Sequence, residues 1–284
     1  METGLKYQDF LNHLNKFEND GWVTKLHRGF DKEFAFKRLK LDLKYNSIDQ
    51  FAERLFFFGE KSRHLWEERF EKEIAINDIT DNAFKIIFNQ FNELDLNKYP
   101  LNFVNNNKQV FDYFKTSANE SKFIGAISKL QTQKRNEIRQ HYLTILHQLD
   151  DNEYKGQSLY ISGSKSKNQA KSFAVGDDSI VINFWILTQK NKSLAGIGLP
   201  IFSDYPFPKE SEISVFGAVF PHYIYSFVYQ GKIFPNPAIA TENNFEISVV
   251  GGFTIQQDDF DSQLKSKTTY KRMIEKNGEE YKII

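Results

Sequence analysis

A chain of 284 residues and 33.3 kDa has room for one large domain or two modest ones around a sizeable core. With 40% apolar and 26% charged residues, 28 Phe and 13 Tyr, the composition excludes a disordered chain. Lys+Arg and Asp+Glu both number 37, so the formal net charge of +0 excludes a polybasic nucleic-acid carpet or an acidic tail, and zero Cys excludes disulfides, thiolate zinc sites, iron–sulfur ligation and a Cys nucleophile.

The N-terminus lacks the basic and continuous apolar segments of a signal peptide, and no stretch approaches the ~20 apolar residues that cross a bilayer. The expectation is a cytoplasmic protein with no membrane partner; an effector delivered by specialised secretion would begin the same way. Tyr7, Phe10, Leu11, Leu14 and Phe17 recur at helical spacing, and Asn19-Asp20-Gly21 closes that helix ahead of a strand-like WVTKLHRGF. Residues 46–150 predict a helical bundle that is poor in Gly. Its first helix carries Phe51, Leu55, Phe58, Leu65 and Ile74, with breaks at Asn77-Asp78 and over Tyr99-Pro100 to Asn107. Another helix is expected from about Ile124 to Leu149, with Ile127, Leu130, Ile138, Tyr142 and Ile145 near one face.

Beyond residue 150 the texture becomes β-rich, in the segments SLYISGS, SIVINFWIL, EISVFGAVF, YIYSFVY and FEISVVGGFTI. A charged helix or tail follows from Asp258. The organisation expected is therefore residues 1–45 (helix and first strand), 46–150 (helical insertion) and 151–284 (β-rich core with its C-terminal segment). No internal repeat or low-complexity tract interrupts it.

Familiar chemistry is missing. Neither GxGxxG nor GxxxxGK[ST] occurs, and no GxSxG elbow signals a serine nucleophile. His64 with Glu67 and Glu68 lacks a second His at helical spacing, so a solvated helix face is the simpler reading and no metal is expected. The pairs Asp150-Asp151, Asp177-Asp178 and Asp258-Asp259 sit in turn-like contexts, where Asp stabilises local backbone turns. The aromatic stripe at 220–234 reads as core strands, with His222 structural.

One constellation remains. A strand ends at Ser162-Gly163-Ser164, a polar turn leads into a short helix with Ala170, Phe173 and Ala174, and a second strand follows from Ile180 to Leu187. A loop rich in Gly, Pro and aromatics then delivers Glu210-Ser211-Glu212 at the start of another strand. On an extended segment, carboxylates at i and i+2 point to one side, a like-charge pairing that needs solvent or a partner to compensate it. Taken singly, each feature has a plain structural role: turn hydroxyls, edge-strand charges, an exposed strand cation or aromatics capping a core.

In this order the motifs resemble the R-S-E class of mono-ADP-ribosyltransferases, the arginine-modifying bacterial toxins and phage enzymes. Ser162-Gly163-Ser164 takes the place of the family's Ser-Thr-Ser, with Gly163 departing from the middle Thr. NQAKSFA is similar to the small helix after that motif, and Glu210-Ser211-Glu212 to the Glu-x-Glu. Tyr205-Pro-Phe207-Pro looks like the target-recognition turn, and Leu26-His27-Arg28-Gly29 like the context of the early Arg. The resemblance covers residues 20–30 and about 155–230, and the long gap between Arg28 and Ser162 is taken up by an enlarged helical region.

That resemblance implies an α+β fold: an ADP-ribosyltransferase-like core of two small packed β-sheets, with a large helical insertion between the first and second core strands. It also implies roles. Glu212 would bond the nicotinamide ribose and stabilise an oxocarbenium-like centre, and Ser162 would orient Glu212. Glu210 would accept a proton from the incoming nucleophile. Arg28 would grip a phosphate of NAD, with Ser162, Ser164 and Phe173 completing the NAD site. Tyr205 and Phe207 would meet the target. NAD is the co-substrate, and no metal is called for. Glu210 resembles the arginine-directed branch, so protein arginine is the default acceptor. Lys165, Lys167 and Lys171, with Lys190 and Lys192, leave a nucleic-acid base open. Such an activity in a cell implies a toxin with a neutralising antitoxin or chaperone, as in toxin-antitoxin or anti-phage systems. The competing reading is a non-catalytic module joining a helical zone to a β-rich recognition part.

Overall fold

A computed structural model of the chain describes residues 2–61, 74, 78–149, 160–174, 176, 178–188, 194 and 196–236. The fold is mixed α+β. In chain order it runs α1 (Glu2–Asn19), β1 (Val23–Asp31), α2 (Lys32–Arg38), α3 (Ile48–Phe58), α4 (Asp81–Glu93), α5 (Leu101–Asn106), α6 (Lys108–Lys115), α7 (Glu120–Ile127) and α8 (Thr132–Leu149). It continues through β2 (Tyr160–Ser164), α9 (Lys167–Ser172), β3 (Ser179–Leu187), β4 (Glu212–Phe216), β5 (Ile224–Tyr229) and β6 (Lys232–Pro235). No described helix is long and apolar enough to cross a membrane.

The strands pair in the order β4-β2-β1-β3-β5-β6, and every pairing with a defined register is antiparallel. This single sheet corrects the expectation of two small packed sheets, as far as the described residues go. The physical reason lies in β1, which pairs with β3 along its whole length, from Val23↔Leu187 to Asp31↔Ser179, while its other edge pairs with β2 at His27↔Ser164. The helical region between β1 and β2 is present as expected.

The chain divides into two compact units: Met1–Arg69 with Ser162–Gln189 and Gly217–Ile284, and Phe70–Ile161 with Lys190–Phe216. In the first unit β3 is buried along nearly its entire length, the pattern of a strand covered on both faces. α1 docks through buried Phe10 and Leu14 and through Tyr7, whose hydroxyl donates to Ser226 Oγ at 2.9 Å. Phe36 stacks on Phe51 at 5.3 Å, and Phe51 meets the edge of Phe227. α3 begins with a Ser47–Gln50 capping box and ends at Gly59, whose φ of 74° only glycine adopts at little cost.

Two further glycines are fixed by close approach. A Cβ on Gly29 would collide with the carbonyl group of Ala170, so the absence of a side chain there lets α9 lie on β1. At Gly163 a Cβ would come within 2.8 Å of Phe184 Cζ and 3.1 Å of Leu26 Cβ, so close packing reserves this strand position for glycine. Gly29→Ala is expected to cost about 1–3 kcal/mol through overpacking against backbone that cannot rotate away. Urea unfolding reads it directly; an unshifted midpoint would contradict the packing.

The second unit is a helical bundle around one aromatic core. Phe84, Phe88, Phe91, Phe114, Phe123 and Tyr142 are fully buried there. Two sequence expectations need correction within it. The stretch expected as a break, Tyr99 to Asn107, contains α5, because Phe103 turns into the core and buried Asn107 satisfies its amide by donating to Phe103 O at 3.0 Å. The single helix expected over Ile124–Leu149 is two, α7 and α8. Ser128 Oγ bonds both Ile124 O and Asp81 Oδ1, and the chain turns before Thr132. Segments 62–73, 150–159 and 237–284, with their expected helix continuation, acidic pairs, strand and tail, lie outside the described residues, as do Asp177, Lys190 and Lys192.

Candidate functional site

In the first unit, Arg28 projects from β1, and its Nη1 donates to the backbone carbonyl of Ser162 on β2 at 2.9 Å. The guanidinium also lies over the Phe30 ring at 4.9 Å, which holds its plane. Its Nε stands 4.0 Å from Oε1 of Glu60, a buried carboxylate that Arg38 Nη2 engages at 2.6 Å. Glu60 is fixed through its backbone, which forms a two-hydrogen-bond bridge with Val219. Burial alone would raise its pKa; Arg38, Arg28 and Lys61 outweigh that and hold it below the usual carboxylate range. Lys61 shows the converse. Burial first, then Arg38 and Arg28, push its ammonium down to about 7, against the pull of Glu60. Sequence reasoning singled out Arg28 but not Arg38, Glu60 or Lys61, which gather only once β1, α2 and the end of α3 have packed.

Ser164 shapes a turn: its Oγ accepts the Ser166 N–H at 3.0 Å, and Ser166 Oγ in turn caps α9 by accepting from Gln169 N–H. Ser164 is buried, whereas Phe173, at the C-terminal end of α9, is 53% exposed.

The second unit carries Tyr205, Phe207, Glu210 and Glu212. Phe202 is buried among the rings of Phe91, Phe103, Phe111 and Phe114. The loop around it is tied down: Tyr142 Oη donates to Pro200 O at 2.7 Å, Ser203 N–H to Asn107 Oδ1 at 2.9 Å, and Asn106 Nδ2 to Asp204 Oδ2 at 3.0 Å. An anchored loop thus leaves Tyr205 56% exposed and Phe207 37% exposed. Anchoring also uses His141, whose Nε2 accepts the Phe202 N–H at 3.3 Å, a role open only to the neutral ring.

Burial pushes His141 down to about 4. The unfolded chain therefore takes up a proton below the ordinary 6.5 while the native ring does not, so this contribution to stability is complete above pH 6.5 and is lost as pH falls towards 4. By pH 5 the loss is about 2 kcal/mol. Urea unfolding at pH 7 and pH 5 is expected to show it in the wild type and not in His141→Gln; equal losses in both would disprove the assignment.

Glu210 and Glu212 do not share an extended segment, which corrects the expectation of two carboxylates on one side of a strand. Pro208 starts a helical turn over Pro208–Glu210, Ser211 closes it in the left-handed region at φ 48°, and β4 begins only at Glu212. Glu212 Oε1 accepts from Ser214 Oγ at 3.2 Å and stands 3.5 Å from Nε2 of His147, a buried residue near the end of α8. Ser214 Oγ itself accepts from Gln148 Nε2 at 3.3 Å. Ser214, two positions along the strand, was recoverable from alternation; His147 and Gln148 were not. Among the described residues no group of three or more His, Asp or Glu side chains gathers to hold a metal. Compared with known families, curated proteins and solved structures, the chain matches none.

Proposed function

We propose that the chain is an NAD-dependent mono-ADP-ribosyltransferase acting on a macromolecule, with protein arginine as the default acceptor and a nucleic-acid base as the other acceptor chemistry. The observation that carries this reading is the contact of Arg28 with Ser162: two motif residues 134 positions apart meet through a 2.9 Å hydrogen bond. The surroundings of Arg28 support it further. The guanidinium groups of Arg28 and Arg38 beside the single carboxylate of Glu60 leave an excess of positive charge, which suits an anionic dinucleotide.

In the proposed reaction the bond between the nicotinamide nitrogen and ribose C1′ breaks, and its electron pair leaves with nicotinamide. A lone pair of the acceptor forms the new bond at C1′, and the acceptor proton passes to Glu210. Glu212 stabilises positive charge developing on the ribose, Ser162 supports its orientation, and Arg28 holds a phosphate. Ser164, by fixing the turn, and Phe173 line the dinucleotide side, while Tyr205 and Phe207 meet the acceptor. An enzyme that spends NAD on cellular macromolecules damages its own host, so a toxin with a neutralising antitoxin or chaperone is the biological setting proposed.

The experiment is incubation of the protein with adenine-labelled NAD and a cell extract, followed by separation of protein and RNA. Label in protein that hydroxylamine releases supports an arginine acceptor; label in RNA supports a base. If neither fraction is labelled and NAD is not consumed, the enzyme reading fails and the interaction module takes its place.

A further inference from the structure

The helical region enters the chemistry at one point: the imidazole of His147, on α8, stands beside the carboxylate of Glu212. We propose that His147 is a positioning residue for Glu212, holding its carboxylate in the orientation that the reacting ribose requires. This rests on the transferase reading above and assigns to the helical region a task that the sequence pattern does not.

The geometry is that of a supported carboxylate. Two groups from different elements converge on one oxygen, Oε1: Ser214 Oγ at 3.2 Å along β4, and His147 Nε2 at 3.5 Å from α8. The second distance is an ion-pair distance for a ring that carries both protons. Each support is itself held. Gln148 Nε2 donates to Ser214 Oγ at 3.3 Å, and the His147 ring packs on Tyr160 with centroids 5.6 Å apart and planes tilted by 34°. Tyr160 is in turn fixed by its hydroxyl, which donates to Gln140 O at 3.1 Å, one helix carrying both ring and anchor. His147 is buried, so its ring cannot swing into water and back at no cost.

A carboxylate that stabilises a developing cation works only if its position is set before the reaction, since reorientation during the step would forfeit the gain. A lone Glu at the first position of a strand has three rotatable bonds and no such restraint. His147 and Ser214 supply it, each through its contact with Oε1. Glu212 remains the catalytic group, and His147 acts through it.

Two variants separate positioning from packing. His147→Leu keeps an apolar body of similar size beside Tyr160 and removes the ring nitrogens; His147→Gln keeps a donor near the place of Nε2. In steady-state NAD consumption, His147→Leu is expected to lose about 10²-fold in kcat, the cost of a misplaced catalytic group, with KM for NAD changed less than about threefold. His147→Gln is expected to recover most of that loss. Wild-type kcat in His147→Leu, or an equal loss in the Leu and Gln variants, overturns the inference.

A spectroscopic measurement covers the case in which the Leu variant does not fold. The titration midpoint of the His147 ring, followed by NMR, is expected to fall on Glu212→Gln, because a neighbouring carboxylate favours the charged ring. An unmoved midpoint overturns the pairing without reference to activity. Absence of NAD turnover in the wild type overturns the transferase reading itself, whereas turnover in the wild type with an unaffected Leu variant overturns this inference alone.

Discussion

On the proposed transferase reading, replacing Glu212 by Gln is expected to lower NAD consumption and label transfer by about 10²–10³-fold, the usual cost of removing one preorganised group from a developing charge. The substitution keeps the size and shape of the side chain and a carbonyl oxygen that can still accept from Ser214 Oγ. What it removes is the negative charge, so the fold should tolerate it. Because the charge matters most when the ribose becomes cationic, the loss should appear in kcat and equally in kcat/KM. Thermal unfolding of the variant alongside the kinetics separates a chemical defect from a folding one. A well-folded Glu212→Gln protein with wild-type turnover would remove Glu212 from the mechanism.

Phe202→Ala is expected to cost about 3–5 kcal/mol, the range for emptying an aromatic site in a closed core. Its ring lies 5.2 Å from both Phe91 and Phe111 and 6.0 Å from Phe103, and those rings belong to three different helices. The residue also pins the loop that carries Tyr205 and Phe207. Thermal unfolding should therefore show a lower midpoint. Below that midpoint, on the proposed transferase reading, transfer to the macromolecular acceptor should fall further than hydrolysis of NAD alone, since that reading gives Tyr205 and Phe207 to the acceptor. A loss below about 1 kcal/mol would mean that the core closes over the gap, as sites able to collapse do.

How much of this was legible in the sequence depends on the range of the forces involved. α1 was readable from apolar residues at helical spacing closed by Asn19-Asp20-Gly21, and β1, β3 and β5 from short runs rich in β-branched and aromatic residues. The Asn-rich stretch before Asn107 misled because local turn propensity favours a break there, while burial of Phe103 and the bonds of Asn107 to Phe103 and Ser203 make a helix and a buried anchor instead. Glu210 misled for a related reason: Pro208 and the left-handed Ser211 bend the backbone over the residues that alternation alone would have extended. The partners of Arg28 and Glu212 were legible only where they are near in sequence. Ser214 is, being on the same strand, whereas Glu60 sits in the bridge to Val219 beyond α3 and His147 on α8, placements that no single-chain periodicity encodes.

The pairing of β1 sets the order in which the protein can come into being. Its neighbours, Ser164 on one edge and Ser179–Leu187 on the other, leave the ribosome only after the whole helical region has been made. β1 is thus held unpaired while nearly half of the 284 residues emerge behind it, and such non-local closure is slow. A translation product that stops short of Ser179 has Arg28 but lacks the strand that pairs with β1 from end to end. On the transferase reading, loss of the 3′ part of the message, or cleavage of the nascent chain, leaves a fragment without Glu212 and without the strand that pairs with β1 along its whole length. For an activity proposed to be dangerous to its own cell, late completion of the sheet is a form of quality control written into the connectivity.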